Sequence, residues 1–372
     1  MPDIIFNLAT PEDEAELRRM LRQNPMPGAI SVSFEREPNY FLAARVEGPF
    51  HQTLVARDQA SGQVVGLGCR SVRMRYLNGS PQPVGYISQL RIDPAYRRMR
   101  RALTQAFNFL HCLHQDGQAP FYFASIIEDN RPARRLLAAG LPGLPRFQPF
   151  ARLRTLAIYC RRRRPDLPMP AGLRLVRGSP AQVKAIVACL QRNAARYQLA
   201  PDWIEETLFN PDHTPDLAPE DFFLALAGEE VVGCLAAWDQ SRFKQTIVRG
   251  YAGRLARWRG LINLGARLLG WPALPPPDAP FRYCYASHLA VDADRVDVFV
   301  PLLRALYNYA ADKQYSYFML GLAETHPFLS SITRTYRRVD YQSVLYLVTW
   351  EDELAKLPQL DGRIPGPEIA VL

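Results

Sequence analysis

Val84-Gly-Tyr-Ile-Ser-Gln-Leu-Arg-Ile-Asp-Pro-Ala-Tyr-Arg-Arg-Met-Arg-Arg-Ala-Leu103 passes from an apolar run through a proline-containing turn into an arginine cluster, and then into apolar positions at helical spacing. Leu103, Phe107, Leu110 and Leu113 recur every three or four residues, so the spacing predicts a strand, a turn and a helix with one buried face. Arg97, Arg98, Met99, Arg100, Arg101 and Ala102 fall at the start of that helix. A helix N-terminus presents unpaired N–H groups and the positive end of its macrodipole, so this turn is predicted to grip an anion such as a pyrophosphate. A solvated basic first turn is the alternative reading.

Leu90-Arg-Ile-Asp-Pro94 followed by Arg97-Arg-Met-Arg-Arg-Ala102 resembles motif A of the GNAT superfamily of acyl-CoA-dependent N-acyltransferases, a strand ending in Leu-x-Val-x-Pro and then Arg-Gly-x-Gly-x-Gly/Ala. Arg98 and Arg100 stand where the family has its first two glycines, which admit phosphates close to the backbone. Phe121 to Ile127 reads as a buried strand. The following Glu128-Asp-Asn-Arg-Pro-Ala-Arg-Arg-Leu-Leu-Ala-Ala-Gly140 resembles motif B, with Asn130, Ala133 and Leu136 in register. Leu137 replaces the tyrosine that often protonates the departing thiolate.

The resemblance implies acetyl-CoA as co-substrate, held by Leu90, Arg91, Ile92, Arg97, Arg98, Met99, Arg100, Arg101, Ala102, Asn130 and Ala133, with the acyl carbonyl on a backbone amide that maps to Ile92. It implies transfer of the acetyl group to a primary amine, on a small molecule or peptide, by direct attack. Deprotonating that amine needs a base. Glu35, Glu37 and Glu128 are candidates, with Glu128 favoured because it ends the strand beside motif A. A non-catalytic acyl-CoA-binding or regulatory module and an aminoacyl-tRNA-dependent transferase are the rival readings.

With 372 residues, the usual domain size predicts two domains. The net charge of +9, from 45 basic and 36 acidic residues, permits attraction to nucleic acid, anionic membrane or an acidic substrate. The arginines are spread along the chain, so no specific nucleic-acid partner is expected. Six scattered cysteines with no Cys-x-x-Cys pair predict neither a disulfide framework nor a zinc site, and fit a reducing cytoplasm. His111 and His114 lack a third ligand in view, so no metal is expected. The early acidic residues Glu12, Asp13 and Glu14 do not read as a signal peptide, and no apolar run has the length of a membrane span.

One pattern is written twice. Thr10-Pro11 recurs as Ser179-Pro180, Val64-Val-Gly66 as Val231-Val-Gly233, and Tyr86-Ile-Ser-Gln-Leu-Arg-Ile-Asp93 as Tyr285-Ala-Ser-His-Leu-Ala-Val-Asp292, in the same order. The predicted fold is α/β: two tandem GNAT-like domains, 1–158 and 173–350, each a mixed, mostly antiparallel twisted sheet flanked by helices. They are joined by an Arg/Pro-rich linker, 159–172, and packed as an internal pseudo-dimer, so that the chain is expected to be a monomer.

The wider spacing in the second half marks an insertion, 251–280, whose Leu255, Trp258, Leu261, Ile262, Leu268 and Leu269 alternate with arginines. It reads as a helix packed on the domain or lying on an anionic membrane. Asp294 and Asp297 place carboxylates where the first half has arginines, so the first half is the expected CoA domain. The tail, 351–372, is rich in Pro and Gly but ends in Ile369-Ala-Val-Leu372. This layout resembles tandem GNAT enzymes that use a terminal carboxylate as base, which makes Leu372 the second catalytic candidate.

Overall fold

A computed structural model describes residues 3–96, 100–137, 139–269 and 271–372. The first half carries strands β1 (Ile4–Leu8), β2 (Ile30–Glu35), β3 (Phe50–Asp58), β4 (Val64–Leu77), β5 (Ser80–Ile92), β6 (Tyr122–Ile127) and β7 (Arg146–Tyr159). Its helices are α1 (Glu14–Gln23), α2 (Tyr40–Glu47), α3 (Arg100–His114) and α4 (Arg131–Leu137). The second half carries β8 (Leu173–Arg177), β9 (Phe222–Ala227), β10 (Glu230–Trp238), β11 (Gln245–Tyr251), β12 (Tyr283–Val291), β13 (Tyr317–Ala323) and β14 (Arg338–Thr349). Its helices are α5 (Val183–Ala194), α6 (Glu205–Leu208), α7 (Gly253–Leu269), α8 (Val296–Asp312) and α9 (Leu329–Thr335).

Twelve strands form one sheet in the order β1-β3-β4-β5-β6-β14-β7-β13-β12-β10-β9-β8. Among the described strands, β5/β6 and β12/β13 are the pairs that run parallel. The mixed, mostly antiparallel sheet with flanking helices is the expected architecture, but the strands of the two halves interleave at its centre. β14 lies between β6 and β7, pairing Ser343–Val348 with Ile127–Tyr122 on one side and Arg338–Thr349 with Ile158–Arg146 on the other. β7 in turn pairs with β13, Tyr159 opposite Tyr317 through Leu153 opposite Ala323. Each half is therefore closed by a strand of the other. A second, two-stranded sheet crosses the same boundary, β2 with β11.

The local signals behave as their chemistry dictates. Thr10 caps the first turn, its N–H bonded to Asp13 Oδ2 at 2.9 Å with Pro11 at the next position, and α1 then buries Leu17, Met20 and Leu21. Its counterpart Ser179 donates to Gln182 Oε1 at 2.6 Å ahead of α5. Ile87 packs under α3 with Phe107 and Leu110, while Tyr86, on the opposite side of β5, packs with Phe121, Phe123 and Leu347. The Arg/Pro-rich connection is tied down rather than free: Arg164 exchanges two 2.9 Å bonds with the Asn308 amide, and Arg304 Nη1 donates to Pro165 O at 2.6 Å.

Because β7 finds both its partners in the second half, neither half has a closed sheet alone. Fragments 1–162 and 163–372 expressed separately should aggregate, whereas co-expressed they should co-elute as one equimolar species on size exclusion. A monomeric 1–162 fragment that unfolds cooperatively would contradict this pairing.

Candidate active site

β5 and β6 are paired only at Gly85–Tyr122 and Tyr86–Phe123, and then diverge into a V. Gly85 makes the close pairing at the apex possible: a Cβ there would lie 2.1 Å from Tyr122 Cδ1. Just beyond the apex the β4/β5 register slips between Leu67–Arg91 and Cys69–Ser88, so Gln89 and Leu90 together face Gly68, and Gln89 adopts φ +54°. The bulge turns the β5 backbone at the open arm of the V.

Beside the open arm of β5 lies an apolar cavity of 250 Å³ beneath the sheet, lined among others by Leu90, Arg91 and Ile92 from β5, by Ala102 and Phe107 from α3 and by Ala133 from α4. The second half has the same V and the same bulge, with β12 and β13 pairing at Tyr283–Tyr317 through Tyr285–Met319 and His288 at φ +53°. There α8 closes on the sheet, and the cavity left between the two arms and the tail measures only 80 Å³. A Cβ on Gly233 would meet Val298 Cγ1 and Leu302 Cδ1 of α8 at 3.2 and 3.3 Å. The equivalent Cβ on Gly66 would meet no atom of α3 within 4 Å among the described residues.

The second V itself holds the chain's own tail. Ile369 occupies the place of a side chain at Gly321, 2.1 Å from an added Cβ, and Glu368 Oε2 accepts the N–H of the bulge residue His288 at 2.8 Å. At the turn before α8, Asp292 binds Arg192 and Asn193, and Asp294 binds Arg196 and the Tyr197 hydroxyl. Carboxylates of the chain thus sit at the turn and at the bulge amide of this half.

On the other side of β5, the bulge borders a buried polar group. Ser88 Oγ donates to Glu47 Oε2 at 2.6 Å, and Glu47 is ion-paired with Arg36; all three are buried. Lys244, from the connection between β10 and β11, donates at 3.4 Å to both Ala370 O and Leu372 O. Burial pushes the Lys244 ammonium down to about 8, against the opposing pull of the Glu47 carboxylate. Ile369, Ala370 and Val371 are buried in the largest core cluster, and Leu372 packs against the cluster holding Tyr86 and Phe123, the last pair before the first V opens.

No family model matches the chain, and no curated protein matches it in sequence. Solved structures do match in three dimensions. A GCN5-related N-acetyltransferase from Sphaerobacter thermophilus superposes with a TM-score of 0.57 at 13% identity, covering 93% of this chain and 96% of that one. The chain has the GNAT fold. Saccharomyces cerevisiae N-myristoyltransferase with bound myristoyl-CoA aligns over 94% of this chain and 84% of its own, with a TM-score of 0.59 at 11% identity. The glucosamine N-acetyltransferase region of a fungal multi-domain β-N-acetylglucosaminidase aligns over 93% of this chain and 38% of its own, with a TM-score of 0.58 at 12% identity.

Within this GNAT fold, five of the residues expected to hold CoA, namely Leu90, Arg91, Ile92, Ala102 and Ala133, line one cavity. Asn130 caps α4, its Oδ1 accepting the Ala133 N–H at 3.3 Å, and Arg101 is exposed on the first turn of α3. Arg97, Arg98, Met99 and the Arg100 side chain lie outside the described residues. Glu128 follows β6 and lies 3.7 Å from Arg134 and 3.6 Å from Arg152. Glu35 and Glu37 do not face the V: Glu35 pairs with Arg249 across the two-stranded sheet, and Glu37 with Arg18 and Arg22 on α1.

Leu137 is buried in the cavity wall. Tyr96, the hydroxyl on that wall, is committed to Asp58 Oδ2 at 2.6 Å. His111 stacks on Trp350 at 4.7 Å, and His114 bonds Glu353 and, at 3.3 Å, the Tyr122 hydroxyl. Among the described residues no three His, Cys, Asp or Glu side chains are grouped to hold a metal.

Sequence reasoning missed Gln89, Glu47 and Lys244. The bulge had a signal in the repeated Ser-Gln-Leu and Ser-His-Leu, and Glu47 had one as a lone carboxylate ending an apolar helix. Lys244 had none, because its partial burial is created with the other half and the tail. With a pKa near 8, Lys244 should react with a limiting acylating reagent about two pH units earlier than an ordinary lysine. Mass-spectrometric labelling of Lys184, Lys244, Lys313 and Lys356 across pH reads this directly, and Lys244 titrating with the other three would refute its desolvated placement.

Proposed function

We propose that this chain is an acyl-CoA-dependent N-acyltransferase, with acetyl-CoA as donor and a primary amine as acceptor. The observation that carries the reading is an asymmetry: a 250 Å³ apolar cavity lies between α3 and the open arm of β5, while in the second half α8 packs against Gly233 and the tail enters the V, leaving 80 Å³. Leu90, Ile92, Ala102 and Ala133 would hold the arm and acyl group of the donor, with Arg97, Arg98, Arg100 and Arg101 supplying positive charge at the helix start. Bound there, acyl-CoA supplies an electrophilic thioester carbon and a thiolate leaving group. A backbone amide of the β5 arm is the oxyanion donor in this reading. The second half supports it by analogy, since its bulge amide at His288 already binds a carboxylate oxygen of Glu368.

The acceptor approaches from the side of Glu47 and Lys244. An ammonium must lose a proton before its nitrogen can attack, and Lys244, neutral above about pH 8, is the group we assign to receive it. Ser88 and Glu47 offer acceptor oxygens beside the attacking nitrogen. Attack forms the C–N bond and breaks the C–S bond, whose electron pair leaves on sulfur. A thiol with an ordinary pKa of about 8.5 departs as thiolate without a tyrosine donor, consistent with Leu137. The Leu372 carboxylate and Glu128 are the other two groups proposed for the acceptor's proton. In this reading the chain acts as a monomer.

Calorimetry with acetyl-CoA, followed by a transfer assay against a panel of amines, tests the proposal. Arg98→Glu with Arg100→Glu, and separately Ala106→Trp in the cavity wall, should each weaken CoA binding at least tenfold, about 1.4 kcal/mol. Transfer should rise with pH through about 8 and lose that limb in Lys244→Gln, because only the neutral amine accepts a proton. A flat profile in the intact chain, with loss of transfer in Glu128→Gln or on removing Leu372, would reassign the base. Acetyl-CoA binding without transfer would favour a binding module, and tRNA binding without CoA binding the aminoacyl-tRNA reading.

A further inference from the structure

Helix α7 presents an apolar face to solvent. Leu268 is 78% exposed, Leu269 62%, Leu261 60%, Leu264 56% and Trp258 47%, and no residue described in the helix is buried. A helix that simply bridges two strands in water would carry polar side chains there. Its opposite side is fixed to the returning segment. Asn263 Nδ2 donates to Leu274 O at 3.0 Å, Asn263 Oδ1 accepts the Leu274 N–H at 2.7 Å, and Arg259 Nη1 donates to Pro275 O at 3.0 Å. The apolar face therefore cannot turn inward without breaking these bonds.

Arg254 and Arg257 precede Trp258, Leu261, Leu264 and Leu268 at spacings of three and four, so two cations head the same exposed stripe. More positive charge flanks its far end. Exposed Arg161 donates to Leu269 O and lies over the Trp271 ring at 4.4 Å, with exposed Arg337 on that ring at 5.1 Å and exposed Arg334 lining the same open groove. No acidic residue occurs between Tyr251 and Pro277.

That composition decides between occupants. A second copy of the chain docked through α7 would set cations against cations or against leucines, with no acidic partner in the segment. An anionic lipid surface offers both complements at once, phosphates for the arginines and acyl chains for the leucines. We propose that α7 is a membrane-surface anchor that lies in the interface of an anionic bilayer, with Leu261, Leu264 and Leu268 inserted and Arg254 and Arg257 among the headgroups. The helix does not span: no helix described in the chain is long and apolar enough to cross a membrane.

Co-sedimentation of the full chain with vesicles of equimolar phosphatidylcholine and phosphatidylglycerol tests this, against vesicles of phosphatidylcholine alone. Binding should appear only with the anionic vesicles and weaken as salt rises. Leu264→Glu with Leu268→Glu should reduce it at least tenfold, and Arg254→Glu with Arg257→Glu similarly, with unchanged thermal unfolding because these side chains face solvent. The proposal is overturned if the intact chain fails to sediment. It is equally overturned if the leucine variant binds as before, which would mark mere net charge. A vesicle-free dimer by light scattering that the leucine variant disperses would assign the face to a second copy instead.

Discussion

The pairing of β7 with β14 at the centre of the sheet is the interaction on which the rest of the molecule depends. Twelve residue pairs, from Arg338–Ile158 to Thr349–Arg146, join the closing strand of each half to that of the other. Their outer edges then complete β13 and β6. An exposed strand edge is a row of unpaired donors and acceptors, and exchange removes two such edges at once. The halves are thereby held in one register rather than joined by a flexible tether, and segment 161–166 reinforces this through its bonds to α8.

Fixed register gives the two V-shaped openings different fates. Both have a short parallel pairing at the apex and a left-handed residue, Gln89 or His288, at the bulge beyond it. In the second half α8 lies against Gly233 and the tail enters the V, so the bulge amide is satisfied internally and only 80 Å³ of space remains. In the first half no α3 atom among those described approaches Gly66, and a cavity remains. Burial of an ion costs free energy unless a partner compensates, and the tail arrangement follows that rule. Burial raises the Glu368 carboxyl, while the N–H groups of His288 and Ala370 hold it by hydrogen bonds.

The seam between the halves also sets the surroundings of Lys244. Lys244 belongs to the second half; burial lowers its pKa most, and the charges that act on it besides, Glu47 opposing and Arg36 assisting, belong to the first half. Its hydrogen-bond acceptors, Ala370 and Leu372, come from the end of the tail. The surroundings of this ammonium, drawn from three distant segments, are complete only when the sheet is complete.

The sequence by itself determined the units. Helical spacing after Arg101, the Thr10-Pro11 start signal and its echo at Ser179-Pro180, and the repeated Tyr-x-Ser-x-Leu strand are local patterns that act within a few residues, so they survive any tertiary arrangement. The same holds for Leu90, Arg91, Ile92, Ala102 and Ala133, which one strand–turn–helix unit and the helix after it bring to one cavity. Tertiary structure alone decided which strand closes which half, because β7 and β14 are both alternating strands and nothing local distinguishes an own partner from an exchanged one. It also decided that Glu35 and Glu37 are spent on arginines, that the tail is buried rather than loose, and that α7 shows its leucines to solvent. Those outcomes rest on contacts between segments far apart in the chain, and side-chain burial and pKa follow from such contacts rather than from neighbours in sequence.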